Sequence, residues 1–294
     1  MTAQFLDGDA FLEKVKRDLA IRAEALRPQG VVPGLGTILV GTDPNSVSYV
    51  RRKHANCAEI GFASFNQELP ESATQEDVSA AIAKFNRDPL VDAFLVQLPL
   101  PRHLSEEKTL LSIDPDKDVD GFHPINVGKV FIGERDGFSP ATPAGVQQLL
   151  LRSSVDTAGK HCVIIGRSNI VGKPMASLMV QNGPGGNATV TVCHSHTRDL
   201  AEHAKRADIL IVAIGRPRMV TADMVKSGAV VIDVGVNRVD NPAAKKGYSL
   251  VGDVDFEAVR NVASKITPVP GGVGPMTIAM LLSNTLRAAE RVHA

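Results

Sequence analysis

Short apolar runs rich in Val and Ile alternate with amphipathic stretches along the whole chain, the pattern of βα units that build parallel sheets. The continuous runs predict strands at Gly36–Val40, Phe62–Asn66, Ala93–Gln97, Cys162–Ile165, Thr189–Cys193, Ile209–Ala213 and Val230–Val234. Periodicity near 3.6 predicts helices over Asp9–Leu26, Ser46–Glu59, Gln75–Phe85, Pro143–Leu151, Lys173–Gln181, Asp199–Lys205 and Pro275–Arg291. In the last of these, Ile278, Leu281, Leu282 and Leu286 form one apolar stripe, with Pro275 in the first turn. Between Asp114 and Pro143 the periodicity fades while Pro, Gly and Asp accumulate, which marks a linker or a functional loop. The expected architecture is therefore α/β with two domains, residues 1–122 and 123–294, the helix 275–291 returning to pack on the first.

Composition narrows the function classes. The 294 residues accommodate two domains at about 150 residues each. Lys plus Arg equals Asp plus Glu at 32 each, so no global field draws the protein to nucleic acid or to an anionic membrane. The absence of Trp argues against an aromatic platform for single strands. Cys57, Cys162 and Cys193 are too scattered for a disulfide framework or a CxxC metal site, which fits a reducing cytoplasm. Asp7, Asp9 and Glu13 interrupt the N-terminal apolar residues, and no run reaches the roughly 18 apolar residues of a membrane span. The expectation is a soluble cytoplasmic protein with neither a nucleic-acid nor a membrane partner.

Several segments carry chemistry. Val163 to Pro174 runs from an apolar strand through Gly166-Arg167-Ser168 into a helix, a geometry that turns helix N-terminal N–H groups toward a pyrophosphate. It reads GxSxxxG, a departure from GxGxxG, and an ordinary βα turn fits the bare pattern as well. The next strand ends in Cys193-His194-Ser195-His196-Thr197-Arg198, where an NAD-binding fold usually places an acid on the ribose 2′-hydroxyl. With no acid to repel a 2′-phosphate, and Arg167, Ser195 and Arg198 available to donate to one, NADP is favoured over NAD. The two His residues have no spacing partner that would make a metal site.

Tyr49 and Lys53 stand at i and i+4 of a predicted helix, so a phenol and an amine share a face that is either solvated or functional. Gln97 ends an apolar strand before Leu98-Pro99, where parallel sheets place ligands or where an amide satisfies neighbouring backbone. Asp116-Lys117-Asp118-Val119-Asp120-Gly121 offers three carboxylates but lacks the EF-hand's terminal Glu. Thr267 to Thr277, rich in Pro and Gly, describes a specified loop whose backbone approaches a flat ligand, or a crossover between domains.

Taken together and in this order, from about Gly34 to Asn284, these segments resemble the bifunctional methylenetetrahydrofolate dehydrogenase/methenyltetrahydrofolate cyclohydrolase family. The matching motifs are Ser48-Tyr49-Val50 with Lys53 and Cys57, Val96-Gln97-Leu98-Pro99, Lys117-Asp118-Val119-Asp120-Gly121, Gly166-Arg167-Ser168 with Val171-Gly172, Asp233-Val234-Gly235, and Pro270-Gly271-Gly272-Val273-Gly274-Pro275. The resemblance implies a Rossmann-type NADP-binding domain, a smaller α/β catalytic domain and a cleft between them for folate. It implies oxidation of 5,10-methylenetetrahydrofolate and hydrolysis of the methenyl product to 10-formyltetrahydrofolate, within one-carbon metabolism.

By the same resemblance Lys53 is the catalytic amine, Tyr49 flanks the substrate, Gln97 assists Lys53 and Asp120 holds the pterin ring. Val96, Leu98, Pro270, Gly271, Gly272, Val273 and Gly274 would contact the substrate. Gly166, Arg167, Ser168, Ser195 and Val236 would contact NADP, with no metal, and a homodimer is the usual assembly. The alternatives are a dehydrogenase that has lost the second activity and a non-catalytic folate or dinucleotide sensor; the presence of Lys53, Tyr49 and Gln97 together argues against both. Two positions depart from the common pattern: Ala55, where many relatives carry a second Lys, and Ala141, where many carry Cys.

Overall fold

The structure is a computed structural model that describes residues 2–244 and 246–293. The chain divides into two compact units, one of residues 1–12 and 142–277 and the other of residues 13–141 and 278–294. Among the described residues no helix is long and apolar enough to cross a membrane.

The second unit is built on three parallel strands in the order Ala63–Leu69, Gly34–Val40, Ala93–Val96. Every residue of the central strand is buried, as a parallel strand covered on both faces demands. The helix Gln75–Arg87 opens with a reciprocal cap between Thr74 and Asp77, which satisfies two N–H groups that the first turn leaves free. Its Val78, Ile82 and Phe85 join Ile38, Val40, Phe94 and Val96 in one core, where Phe85 meets Phe94 edge-on at 5.5 Å. Asp118 adds a parallel bridge beside Phe94 and so carries the following loop along the sheet.

Six parallel strands form the other unit, in the order Gln4–Phe5, Lys265–Ile266, Val230–Asp233, Ile209–Val212, His161–Ile165, Thr189–Cys193. The chain winds one way from His161–Ile165 to Thr189–Cys193 and the other way to Ile209–Val212, which leaves a crevice at the carboxyl end of the first of these strands. A small antiparallel pair, Asn237–Asp240 with Tyr248–Val251, follows the Val230–Asp233 strand.

Three expectations from the sequence change. The boundary between residues 122 and 123 moves to 141/142, and residues 1–12 join the Rossmann-type unit. The physical cause of the first shift is Asp118, whose carboxylate accepts N–H groups from Gly121 and His123 and the Nδ2 of Asn126, while Asn126 Oδ1 accepts from Phe138. That network binds the stretch after residue 122 to the same unit as the strand before it. The second shift comes from Gln4–Phe5, which pairs in parallel with Lys265–Ile266. The stretch between Asp114 and Pro143 is also not structureless, because Pro124–Ile132 is a helix.

The glycines of the Pro270–Gly274 loop serve a close backbone approach of another kind. A Cβ on Gly8 would stand 1.8 Å from Gly272 O, and Gly8 and Asp9 N–H both donate to Gly271 O at 2.9 and 3.3 Å. The N-terminal turn thus braces this loop through Gly271 O.

Gly36 in the central strand shows how little room that core leaves. A Cβ there would lie 2.7 Å from Phe94 Cβ and 3.0 Å from the Phe85 ring. Gly36→Ala should destabilise the protein by about 1 to 3 kcal/mol, as overpacked cores do. Urea unfolding followed by circular dichroism checks this, with wild-type stability as the contrary result.

Candidate active site

Lys53 occupies a position that the helix pattern reserves for core side chains. The helix Pro44–Glu59 begins with Asp43 capping Ser46 N–H at 2.8 Å and with Pro44 in the first turn. Its inward stripe is Ser46, Val50, Lys53, Asn56 and Cys57, so one amine stands among buried groups and is only 7% exposed. Lys53 Nζ donates to Gln97 Oε1 at 3.0 Å, and Gln97 Nε2 donates to Leu98 O at 2.7 Å. The second bond fixes the amide so that its oxygen, which only accepts, faces the amine.

Burial lowers the Lys53 pKa below its ordinary value, with Asp120 and Cys57 opposing part of that change. Burial likewise pushes the Asp120 carboxyl up to about 6, although the Lys53 charge pulls it down. The Cys57 thiol is pushed up to about 12 by burial, so it stays protonated beside the amine. The arrangement is an amine and a carboxyl, each held closer to neutrality than in water and each sensing the other.

Asp120 reaches this place through the fold of its loop. Asp118 forms the turn described above, and Gly121 adopts φ +71° where a Cβ would strike Phe138 O at 2.6 Å. Of the three carboxylates read in this segment, Asp116 is exposed, Asp118 builds the turn and Asp120 is the one electrostatically coupled to the amine. Among the described residues no group of three or more His, Cys, Asp or Glu gathers as a metal site.

Other expected residues divide. Tyr49 lies one turn before Lys53 and is 41% exposed. Val96 is buried in the core with Ile38 and Phe94, so its side chain packs the sheet. Leu98 is partly buried against the same core. Ala55 is exposed, and Ala141 is buried with its N–H donating to Asp120 O at 3.2 Å. In the other unit Pro270 is exposed and Gly271 and Gly274 are half-buried, whereas Gly272 and Val273 are buried.

At the crevice of the six-stranded sheet lies a cavity of about 260 Å³, lined by Gly166, Arg167, His194, Ser195, Ile214 and Arg216 among others. Gly166 has φ +130°, and a Cβ there would meet Ala213 O at 2.2 Å. Ser168 Oγ accepts from Val171 and Gly172 N–H at 3.1 and 3.4 Å, in the turn that leads into the helix Gly172–Val180. Ser168 and Val236 are not among the lining residues; Val236 is exposed beyond the Val230–Asp233 strand.

The cavity has basic and hydroxyl side chains and no acid among its lining residues, which fits a dinucleotide bearing a 2′-phosphate. Sequence reading missed Arg216 and His194 as lining groups. The signal for Arg216 was its place just beyond a buried strand of a parallel sheet, where such sheets bind ligands.

The chain matches two family models: the catalytic domain of tetrahydrofolate dehydrogenase/cyclohydrolase over residues 6–120 and the NAD(P)-binding domain of the same family over residues 140–293. It is 56% identical to the bifunctional protein FolD of Syntrophus aciditrophicus over 290 residues, 99% of this chain and 98% of the relative. Among solved structures, the bifunctional methylenetetrahydrofolate dehydrogenase/cyclohydrolase FolD of Campylobacter jejuni is 47% identical, with a TM-score of 0.92 over 99% of both chains. The Trypanosoma brucei N5,N10-methylenetetrahydrofolate dehydrogenase-cyclohydrolase, complexed with NADP and an inhibitor, is 41% identical, with a TM-score of 0.94 over 99% of both chains.

The mutual influence of the amine and the carboxyl is measurable. Because the Lys53 charge favours ionised Asp120, Lys53→Met should raise the Asp120 pKa above about 6. Carbon NMR of labelled carboxyl groups reads this directly, and an unchanged or lowered value would contradict the coupling.

Proposed function

The chain belongs to the tetrahydrofolate dehydrogenase/cyclohydrolase family, and from that premise we propose that Lys53 moves the protons of its hydrolytic step while Arg167 and Ser195 hold the 2′-phosphate of its NADP. The protein is a bifunctional enzyme that oxidises 5,10-methylenetetrahydrofolate to the 5,10-methenyl form and hydrolyses that form to 10-formyltetrahydrofolate. The observation that carries the residue assignment is the buried Lys53 amine, bonded to Gln97 and electrostatically coupled to Asp120.

NADP, when bound, accepts hydride from the one-carbon bridge of the substrate at nicotinamide C4. The chain's task in that half-reaction is alignment of the two rings, a matter of proximity and orientation. The methenyl product is a cation, and its charge lowers the Lys53 pKa further once the site is filled. Neutral Lys53 then takes a proton from the water that adds to the bridge carbon. The resulting ammonium returns a proton to N5 as the C–N5 bond breaks, and the remaining hydroxyl proton leaves as the formyl carbonyl forms.

Gln97 keeps the amine in register: its oxygen accepts one N–H whatever the protonation state, which leaves the lone pair of the neutral amine directed elsewhere. Asp120, as a carboxylate, accepts two parallel N–H donors from the aminopyrimidine edge of the pterin. Tyr49, Leu98, Pro270, Gly271 and Gly274 supply exposed or half-buried substrate contacts. The three cysteines are free and buried, which supports a reducing cytoplasm, and the net charge of zero supports a protein with no nucleic-acid partner; the homodimer is carried over from the family resemblance alone.

Lys53→Met keeps the length of the side chain and removes the amine. Cyclohydrolase activity should fall at least about 100-fold, the usual worth of a general acid–base group. Dehydrogenase activity should fall less, and methenyltetrahydrofolate should accumulate when the variant is fed methylenetetrahydrofolate and NADP. Parallel losses with raised KM and no accumulation would reduce Lys53 to a positioning role.

Asp120 gives a pH signature. Its raised pKa means that the ionised acceptor is present above about 6 and is lost as pH falls through that value. Tetrahydrofolate affinity, measured by calorimetry from pH 8 to pH 5, should weaken on the acid side, and Asp120→Asn should be weak and free of that step. A wild-type profile flat across the range would exclude Asp120 as the pterin acceptor.

A further inference from the structure

Two buried aspartates take no part in the chemistry above, Asp233 in Asp233-Val234-Gly235 and Asp253 in Gly252-Asp253-Val254. Asp233 Oδ1 accepts the N–H groups of Gly235 and Asp253, each at 3.0 Å, and Oδ2 accepts that of Val254 at 2.9 Å. Asp253 Oδ2 in turn accepts the N–H groups of Ile214 and Gly215 at 2.7 and 2.9 Å, and its Oδ1 accepts Asn237 Nδ2 at 2.8 Å. The flanking glycines follow from this packing. A Cβ on Gly235 would lie 2.2 Å from Asp253 Cγ, and one on Gly252 would lie 1.8 Å from Asp233 Oδ2.

The segment that Asp253 grips is the one that leads into the cofactor cavity, which Ile214 and Arg216 line together with Arg167 and Ser195. Its far end is tied to the same aspartate segment, since Arg218 N–H donates to Gly252 O and Val220 N–H to Asp253 O, each at 3.0 Å. The backbone on both sides of Arg216 is thus fixed while the residue itself stays exposed at the cavity. A phosphate monoester carries between one and two negative charges near pH 7, more than one guanidinium neutralises.

We propose that Arg216 is a second cationic determinant of this cavity, acting with Arg167 on the 2′-phosphate that separates NADP from NAD, and that Asp233 and Asp253 are the positioning residues that present it. The proposal rests on the reading of the cavity as the NADP site. Fixing the turn in advance removes part of the ordering cost of the contact, which a free surface Arg would have to meet on binding.

The experiment is calorimetric binding of NADP, NAD and 2′,5′-ADP to the full-length wild type and to Arg216→Gln, Arg216→Lys, Arg167→Ala and Asp253→Asn. Arg216→Gln should weaken NADP and 2′,5′-ADP about 10-fold or more, the scale of one charge-assisted bond, and leave NAD within about 2-fold. Arg216→Lys should recover part of the loss. Asp253→Asn should show the same selective defect, and added to Arg216→Gln it should cost little more, because it acts through Arg216.

If Arg216→Gln leaves NADP unchanged, or weakens NADP and NAD equally while Arg167→Ala is selective, Arg216 is not a 2′-phosphate ligand and the proposal fails. If Arg167→Ala is itself unselective, the reading of the cavity falls, and the proposal with it. Additive losses from Asp253→Asn and Arg216→Gln would remove the two aspartates from the device.

Discussion

Taking the Lys53 amine out of water is the constraint around which one unit is arranged. An ammonium in an apolar interior costs several kcal/mol even after relaxation, and the group responds by binding its proton less tightly. That penalty is what turns an ordinary surface residue type into one that gives up its proton more readily than it would in water. It also demands compensation, which the fold supplies with the Gln97 amide oxygen and the Asp120 carboxyl. A stronger ion pair beside the amine would hold the proton and defeat its use.

The compensation comes from the ends of parallel strands. A buried parallel sheet consumes its backbone groups internally and leaves polar side chains to the loops at its carboxyl edge. Gln97 follows the Ala93–Val96 strand directly, and Asp120 follows the Asp118 bridge beside that strand. In the six-stranded sheet the same rule places Gly166, Ser195 and Arg216 just past three neighbouring strands. One architectural rule therefore generates both sites, with acids and an amine in one and guanidinium groups in the other.

Much of this was legible in the residues, because apolar runs and helical stripes are local properties. The strand Thr189–Cys193 begins and ends where periodicity places it, and the other expected strands and helices differ only at their ends. Gln4–Phe5 was not legible, since two residues carry no period and only pairing with distant Lys265–Ile266 makes them a strand. The helix Pro124–Ile132 was hidden because apolar residues surround it and Pro, Gly and Asp flank it, so no stripe emerges. Residue type marked Lys53, Gln97 and Asp120 as candidates, but burial decided between a solvated face and a site, and burial depends on the whole stripe of Ser46, Val50, Lys53 and Cys57. The bonds of Ser168 Oγ to Val171 and Gly172 and of Gly271 O to Gly8 and Asp9 were hidden for the same reason: each is set by a neighbour that the linear pattern does not reveal.

The division of the chain at 12/13, 141/142 and 277/278 has a consequence for biosynthesis. Residues 278–294, with Leu281, Leu282 and Leu286 fully buried, belong to the unit that opens at Glu13, and Asn284 Nδ2 donates to Val119 O across that unit. A ribosome therefore releases the catalytic core long before the helix that seals it, and completes the whole nucleotide-binding sheet in the interval. During that time the apolar surface that Leu281, Leu282 and Leu286 cover in the finished unit is unpaired, so that unit completes its core after the nucleotide-binding sheet has been made.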